Sequence, residues 1–322
     1  MTVRALYELP APAKLNLFLH VLGRRADGYH LLQSAFVLID WADTLHIERR
    51  DDGRLKRHDL GAALPTDDLC LRAARALQSA SACRIGADIS IDKQVPSGAG
   101  MGGGSSDAAT TLLALNCLWG LNWPKARLQE IAVGLGADVP FFVQGHNALV
   151  EGIGEQLTRT PWPQASYAVV KPLAAVSTRA IFQQLDLGAV EPSDILAGSP
   201  EGTSFEGTET CRLGGGLPAG WKPGFGTNHL QPAAEIHCPE VAQAARWLQA
   251  RYGNSRMTGS GSAVFARVGS DRTEQSQSSE NSGKAAPPEA AFPADGFQDL
   301  PKGWVGRMCR SLQQHPLADW AD

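Results

Sequence analysis

The first stretch of the chain is organised by a period of two. In AKLNLFLHVLG, Leu15, Leu17, Leu19 and Val21 alternate with Lys14, Asn16, Phe18 and His20, which predicts a strand with one buried face. The alternation sets Lys14 and Asn16 on one side, away from the leucines. RRADGYHLL follows as a turn marked by Asp27-Gly28, and FVLIDWADTLHIERRDDG reads as another strand pair closed by its polar end. The period then lengthens. LCLRAARALQSA has helical spacing, with Asp67 or Asp68 available to cap it. ADISIDKQVP returns to strand spacing, and from Asp107 AATTLLALNCLWGL is a small-and-apolar helix stopped by Gly120 and Pro124. KARLQEIAVGLG makes a further helix, with Pro124 in its first turn and Gly134 or Gly136 near its end.

A second unit starts near Pro161-Trp162-Pro163, where Tyr167-AVVKP is a short strand. Residues 186–226 are rich in glycine and proline and read as loop. RMTGSGSAVFARV is a glycine turn running into a strand. The polar, low-complexity stretch 270–296 holds too little apolar surface to order itself and is expected to be a disordered insertion. GWVGRMCRSLQQHP resumes structure. The division expected is therefore 1–160 and 161–322.

A chain of 322 residues with 43% hydrophobic and 19% charged content has the make-up of a globular protein of about two domains. Its net charge of −4 provides no broad basic field, so nucleic acid is not an expected partner. The cysteines (Cys70, Cys83, Cys117, Cys211, Cys238 and Cys309) are scattered, without a CxxC pair, and are expected to be reduced thiols. No apolar run approaches the ~20 residues that span a bilayer, and the N-terminus lacks the apolar core of a signal peptide. A cytoplasmic protein with no membrane partner is the expectation.

PSGAGMGGGSSDAAT, residues 96–110, stands out chemically. Glycine at 98, 100, 102, 103 and 104 leaves bare backbone between a strand and a helix. The letters fit the dinucleotide fingerprint GxGxxG, but no acid lies between Asp107 and Glu130 to bind a ribose. The phosphate loop GxxxxGK[ST] fails because Gly104 stands at its lysine, and the HRD and DFG landmarks of protein kinases are absent. A cradle of backbone amides at a helix N-terminus remains, with Ser105 and Ser106 as hydroxyl donors or contacts to a phosphate-bound metal, and Asp107 as a cap or first-turn acid. A tight structural turn is the alternative.

These residues resemble the glycine-rich motif of the GHMP small-molecule kinases. APAKLNLFLHVLGRRADGYHLLQS and RMTGSGSAVFA resemble that superfamily's other two motifs in position and order. ISIDK, LGADVPFFV and EGIGEQL further resemble the branch that phosphorylates 4-diphosphocytidyl-2-C-methyl-D-erythritol, over 10–182 and again at 256–268 and 303–317. The resemblance implies a two-domain α+β fold with the active site in the interdomain cleft. It also implies transfer of the γ-phosphoryl of ATP, as Mg-ATP, to the 2-hydroxyl of that small molecule, a middle step of the non-mevalonate route to isoprenoid precursors. A monomer or homodimer is expected.

By the same resemblance Asp138 in GADVP is the catalytic carboxylate, although Asp-Val-Pro on its own suits a helix cap, and Lys14 is the catalytic lysine. Asn16 belongs to the substrate pocket. Tyr29, His30, Thr178 and Phe182 form the cytidine site, with cytosine between Tyr29 and Phe182. The ATP phosphates are expected along Pro96, Ser97, Gly98, Ala99, Gly100, Met101, Gly102, Gly103, Gly104, Ser105 and Ser106. Lys93 borders the nucleotide base or is a surface lysine. No His, Cys and acid cluster suggests a resident metal. Gly259 and Gly261 allow close backbone approach to substrate phosphates or to the first domain. Asp68 stands where the family often has asparagine near the adenine, and as an acceptor-only group it puts that hydrogen bond in doubt. A homoserine, mevalonate or galactose kinase, and a ligand sensor without turnover, are the competing readings.

Overall fold

The computed structural model describes residues 3–184, 222–269 and 296–321. Most of the 186–226 loop and of the 270–296 insertion lies outside the described residues.

Strand β1, Ala5–Arg24, runs antiparallel to β2, His30–Arg50, through the expected turn, in which Gly28 N donates to Arg25 O (2.9 Å). The segment expected to be a strand pair is thus one long strand. From Ala35 to Arg50 it has no glycine or proline to break it. Beyond Asp51-Asp52, β3 (Leu55–Asp59) does not fold back on β2 but lies parallel to β4 (Gly86–Asp92), which pairs with β2. β5 (Ala148–Glu151) and β6 (Gln156–Arg159) extend the other edge, giving the order β3-β4-β2-β5-β6 with β1 on β2.

Helices α1 (Leu69–Ser81), α2 (Gly103–Leu118), α3 (Lys125–Val133) and α4 (Val139–Gln144) share a core with this sheet. Asp68 caps α1, its side chain accepting from Leu71 N. In α2 every residue from Ser106 to Leu118 except Cys117 is buried, the fate of a helix apolar on all sides.

The second sheet contains β7 (Ser166–Lys171), β8 (Arg256–Met257), β9 (Val264–Val268) and β10 (Val305–Arg310) in the order β10-β7-β9-β8. With α5 (Thr178–Gln183), α6 (Gln231–His237) and α7 (Pro239–Tyr252) it builds a second core, around Val170, Leu230, Val241 and Val264. A third cluster joins the sheets, setting Ala13, Leu15, Ile39 and Trp41 against Tyr167, Val169 and Phe265. The face of β1 expected to be open is closed too: Lys14, Asn16, Phe18 and His20 are all buried. Bulges between Asn16 and Leu19 and between Val21 and Gly23 also interrupt the strict alternation.

The chain end returns to the first half. Leu312 N donates to Leu38 O and His315 N to Gly145 O (each 2.8 Å), and Leu317 and Ala321 join the first core, although the sequence assigns this tail to the second unit. Among the described residues the cysteines are free, and no helix is long and apolar enough to cross a membrane.

Candidate active site

The glycine loop enters α2 earlier than its sequence suggests. The helix begins at Gly103, and its N-cap, Gly102, sits at φ 71° with no side-chain capping bond. Asp107 is therefore neither cap nor first-turn acid but a buried second-turn residue, because glycine rather than an acid starts the turn. Its carboxylate pairs with Lys93 Nζ (2.5 Å), which also pairs with Asp43. The other oxygen of Asp43 accepts from Gln94 N (2.6 Å) and Val95 N (2.7 Å). Burial works against the Lys93 charge, yet Asp107 and Asp43 together hold its pKa above the usual lysine value. Burial pushes the Asp107 carboxyl well up, against the pull of Lys93 and with Asp43 adding to it. Lys93 is a paired strut under the loop rather than a surface lysine.

Two backbone turns cross above this strut. A Cβ on Gly100 would lie 2.3 Å from Thr258 O, and one on Gly259 would lie 2.7 Å from Gly100 O. Ser262 N donates to Gly98 O (3.2 Å) and Ala263 N to Ala99 O (3.1 Å). Only glycine fits such an approach, so the two glycine motifs meet as backbone on backbone.

Lys14 lies beside the crossing. Its own N–H donates to Met101 O (3.0 Å), and its side chain is 3% exposed. Nζ donates to Asn16 Oδ1 (2.5 Å), lies 3.7 Å from Asp138 Oδ2 and stands 4.5 Å from the centroid of the Phe36 ring. Burial lowers the Lys14 pKa, with Asp138 opposing. Asn16 Nδ2 donates in turn to Ser34 Oγ (2.9 Å), and Asn16 N donates to Thr258 Oγ1 (2.9 Å). Asp138 occupies the N-cap of α4 but makes no capping bond there; at 32% exposure its carboxylate faces Lys14 and the solvent.

Two cavities adjoin the loop. One, of about 360 Å³, lies against Leu64, Pro65, Asp68 and Lys93. The other, of about 430 Å³, is lined by Lys14, Asn16, Asp138, Thr178 and Phe182. Gly98, Gly100, Gly102 and Ser105 line both. A buried cation and a partly open carboxylate thus face a cavity that shares its glycine wall with a neighbour.

Residues 68–146 match the GHMP kinases N terminal domain and residues 213–284 the GHMP kinases C terminal. The chain is 57% identical over 325 residues to the 4-diphosphocytidyl-2-C-methyl-D-erythritol kinase of Methylibium petroleiphilum, covering 100% of both chains. It is 49% identical to the kinase of the same name from Paracidovorax citrulli, covering 99% of each. The chain belongs to the 4-diphosphocytidyl-2-C-methyl-D-erythritol kinase family. A crystal structure of 4-(cytidine 5'-diphospho)-2C-methyl-D-erythritol kinase superposes with a TM-score of 0.64 at 33% identity, covering 81% of this chain and 89% of the other. A homoserine kinase from Cytophaga hutchinsonii, at 17% identity and TM-score 0.63, shares the fold. The fold is that of the GHMP kinases, which use ATP as phosphate donor.

Within this GHMP kinase the other expected residues fall into place unevenly. Pro96 to Gly104, with Ser97, Ala99 and Met101 between the glycines, line the 360 Å³ cavity. Ser105 opens to both cavities, whereas Ser106 is fully buried below the loop and lines neither. Thr178 Oγ1 and Ser260 Oγ share a hydrogen bond of 2.6 Å. Phe182 faces His30, ring centroids 5.1 Å apart, while Tyr29 is 60% exposed on its turn. It is His30 that meets the Phe182 ring, and neither His30 nor Tyr29 is among the residues lining the 430 Å³ cavity. Among the described residues no three His, Cys, Asp or Glu side chains gather to hold a metal.

Asp43, Ser34, Phe36, Thr258 and Ser260 are absent from the sequence reading. Asp43 was findable: it falls in phase with Trp41, Leu45 and Ile47, an acid at a buried position of a strand. Thr258 carries no such signal, since it meets Asn16 from 242 residues away.

Proposed function

We propose that this protein transfers the γ-phosphoryl group of magnesium-bound ATP to the 2-hydroxyl of 4-diphosphocytidyl-2-C-methyl-D-erythritol. The observation that carries the chemistry is the Lys14–Asp138 pair, 3.7 Å apart, in the wall of the larger cavity beside the glycine turn that both cavities share. Full-length identity of 57% to a kinase named for this acceptor supports the choice of alcohol.

A polyphosphate chain suits the loop on structural grounds. The 16-residue helix α2 starts without a side-chain cap, leaving first-turn amides for an anion, and the positive φ of Gly98, Gly100 and Gly102 turns bare backbone toward the cavities. Bound ATP supplies the electrophilic phosphorus and ADP as leaving group. Ser105 is the loop hydroxyl to meet a phosphate-bound cation, with Ser106 behind it.

Asp138 accepts the hydrogen bond of the acceptor hydroxyl and takes its proton as the oxygen attacks in line. Lys14 faces that carboxylate and stabilises negative charge developing beside it, and the burial of its ammonium strengthens the effect by excluding water. Asn16 and the Phe36 ring keep the ammonium aimed. Thr178 and Phe182 hold the cytidine end, His30 offers a ring nitrogen to the base edge, and Tyr29 closes over it from the turn.

The test follows phosphorus NMR of protein, Mg-ATP and the cytidine substrate, with mevalonate and homoserine in parallel. A new phosphomonoester with ADP only in the first tube is the expected result. Turnover of another alcohol would discard the acceptor, and no turnover with ATP still bound would favour a sensor.

A further inference from the structure

The wall of the 360 Å³ cavity beside the glycine loop includes Leu64, Pro65 and Asp68, on the connection from β3 to α1, and Leu69, the first residue of α1. That connection has no regular structure of its own. One side chain holds it. Arg57, the middle residue of β3, is 8% exposed. Its Nε and Nη2 donate to the two oxygens of Asp59 (2.6 and 3.1 Å). Nη1 donates to Pro65 O (2.8 Å) and lies 3.0 Å from Asp68 Oδ1, while Nη2 donates to Leu64 O (3.1 Å). Asp59 closes the ring by accepting from Leu64 N (2.9 Å).

Asp68 has two tasks here. Its Oδ1 caps α1 through Leu71 N (3.0 Å) and also faces Arg57, so the carboxylate at the cavity wall shares one guanidinium with Asp59. Without that guanidinium an unpaired acid would front a cavity read as taking a polyanion, and two carbonyls of the same wall would lose their donor. A lysine cannot replace it, because a single ammonium does not span the fork that reaches two carboxylates and two carbonyls.

We infer that Arg57 is a positioning residue for the phosphate donor: by pairing Asp68 and tethering Leu64 and Pro65, it sets the outer wall of the nucleotide cavity and the affinity for the donor without touching the acceptor alcohol. The inference rests on the reading of this cavity as the ATP side of the site.

Its test is calorimetric titration of wild type, Arg57→Ala, Arg57→Lys and the double variant Arg57→Ala/Asp68→Asn with ADP, alongside KM for ATP and for the cytidine substrate. Arg75→Ala, which removes an exposed ion pair to Asp67, is the control. Arg57→Ala is expected to weaken ADP binding about tenfold and raise KM for ATP in parallel, with kcat and the acceptor KM within about twofold of wild type. Arg57→Lys should fall between, and the double variant should recover part of the loss, since asparagine still caps α1 but carries no charge. Should Arg57→Ala fail to fold, the double variant and Arg57→Lys carry the same comparison. ADP binding equal to wild type, or equal rises in both KM values, overturns the inference. If the wild type itself binds no ADP, the reading of the cavity falls and the inference with it.

Discussion

The crossing of the two glycine turns can be tested by adding one methyl group. In Gly100→Ala the new Cβ would lie 2.3 Å from Thr258 O and 3.0 Å from Gly261 N, at a φ of +73°. Two costs separate. The left-handed backbone costs an alanine about 1–2 kcal/mol wherever it occurs. The steric cost is local: ordinary contact begins at 3.4 Å, so the Thr258 turn must retreat by about 1 Å in a close-packed region. Thr258 hydrogen-bonds Asn16, which aims Lys14, so that retreat displaces the charged pair. A misplacement of this size costs about 100-fold in rate. Gly120→Ala isolates the first cost, since Gly120 has φ +67° and nothing within 4 Å of its added Cβ. Urea denaturation and steady-state kinetics of both variants decide the matter. Each should lose about 1–2 kcal/mol of stability from the backbone term, Gly100→Ala more, and only Gly100→Ala should lose kcat. Wild-type kcat in Gly100→Ala would refute the claim that the crossing sets the active geometry.

Three further outcomes are expected. Asp138→Asn should lower kcat by about 10²–10⁴-fold while nucleotide affinity, measured by titration, stays unchanged; near-normal kcat removes Asp138 from proton transfer. Lys93→Met leaves the buried Asp43 and Asp107 facing each other and should cost about 3–5 kcal/mol in urea denaturation; a variant of full stability that binds nucleotide weakly would make Lys93 a ligand instead. Burial pushes His315 down to about 3, below the 6.5 of an ordinary histidine, so the unfolded chain takes up its proton first. Its contribution to stability is therefore complete above pH 6.5 and declines as pH falls toward 3, and His315→Gln should show a shallower loss between about pH 7 and pH 4.5. Equal slopes in the two proteins would exclude His315 as the titrating group.

What could be read from sequence was what is local. Lys14 and Asn16 are two residues apart on a strand, so the period of two places them together, and their side chains do bond. The glycines at 98, 100 and 102 announce bare backbone, and each adopts the positive φ that only glycine takes freely. Asp68 as the cap of α1 is equally local. The helix start at Gly103 was missed because the usual cap signal, a polar side chain, is absent where glycine leaves amides open for a ligand. The Tyr29–Phe182 slot rested on resemblance, and its geometry depends on how a turn after β1 meets a helix after β7, which no local pattern encodes.

The face of β1 that carries Lys14 exposes the deeper limit. Alternation implies that one side of a strand is wet, and on that premise a lysine at position 14 is unremarkable. The second sheet covers the leucine side of β1 through Leu15, Ile39, Val169 and Phe265, while the side that carries Lys14 lies against Phe36, Gly102 and Asp138 of the first half, so the same residue becomes a cation 3% exposed. A charge in that position persists only with partners: Asp138 from the start of α4, the Phe36 ring from β2, and Asn16, two residues on but itself held by Ser34 and Thr258. The second half reaches this pair through Thr258, beside the crossing of the glycine turns, so docking of the halves fixes Asn16 and, through it, the aim of Lys14.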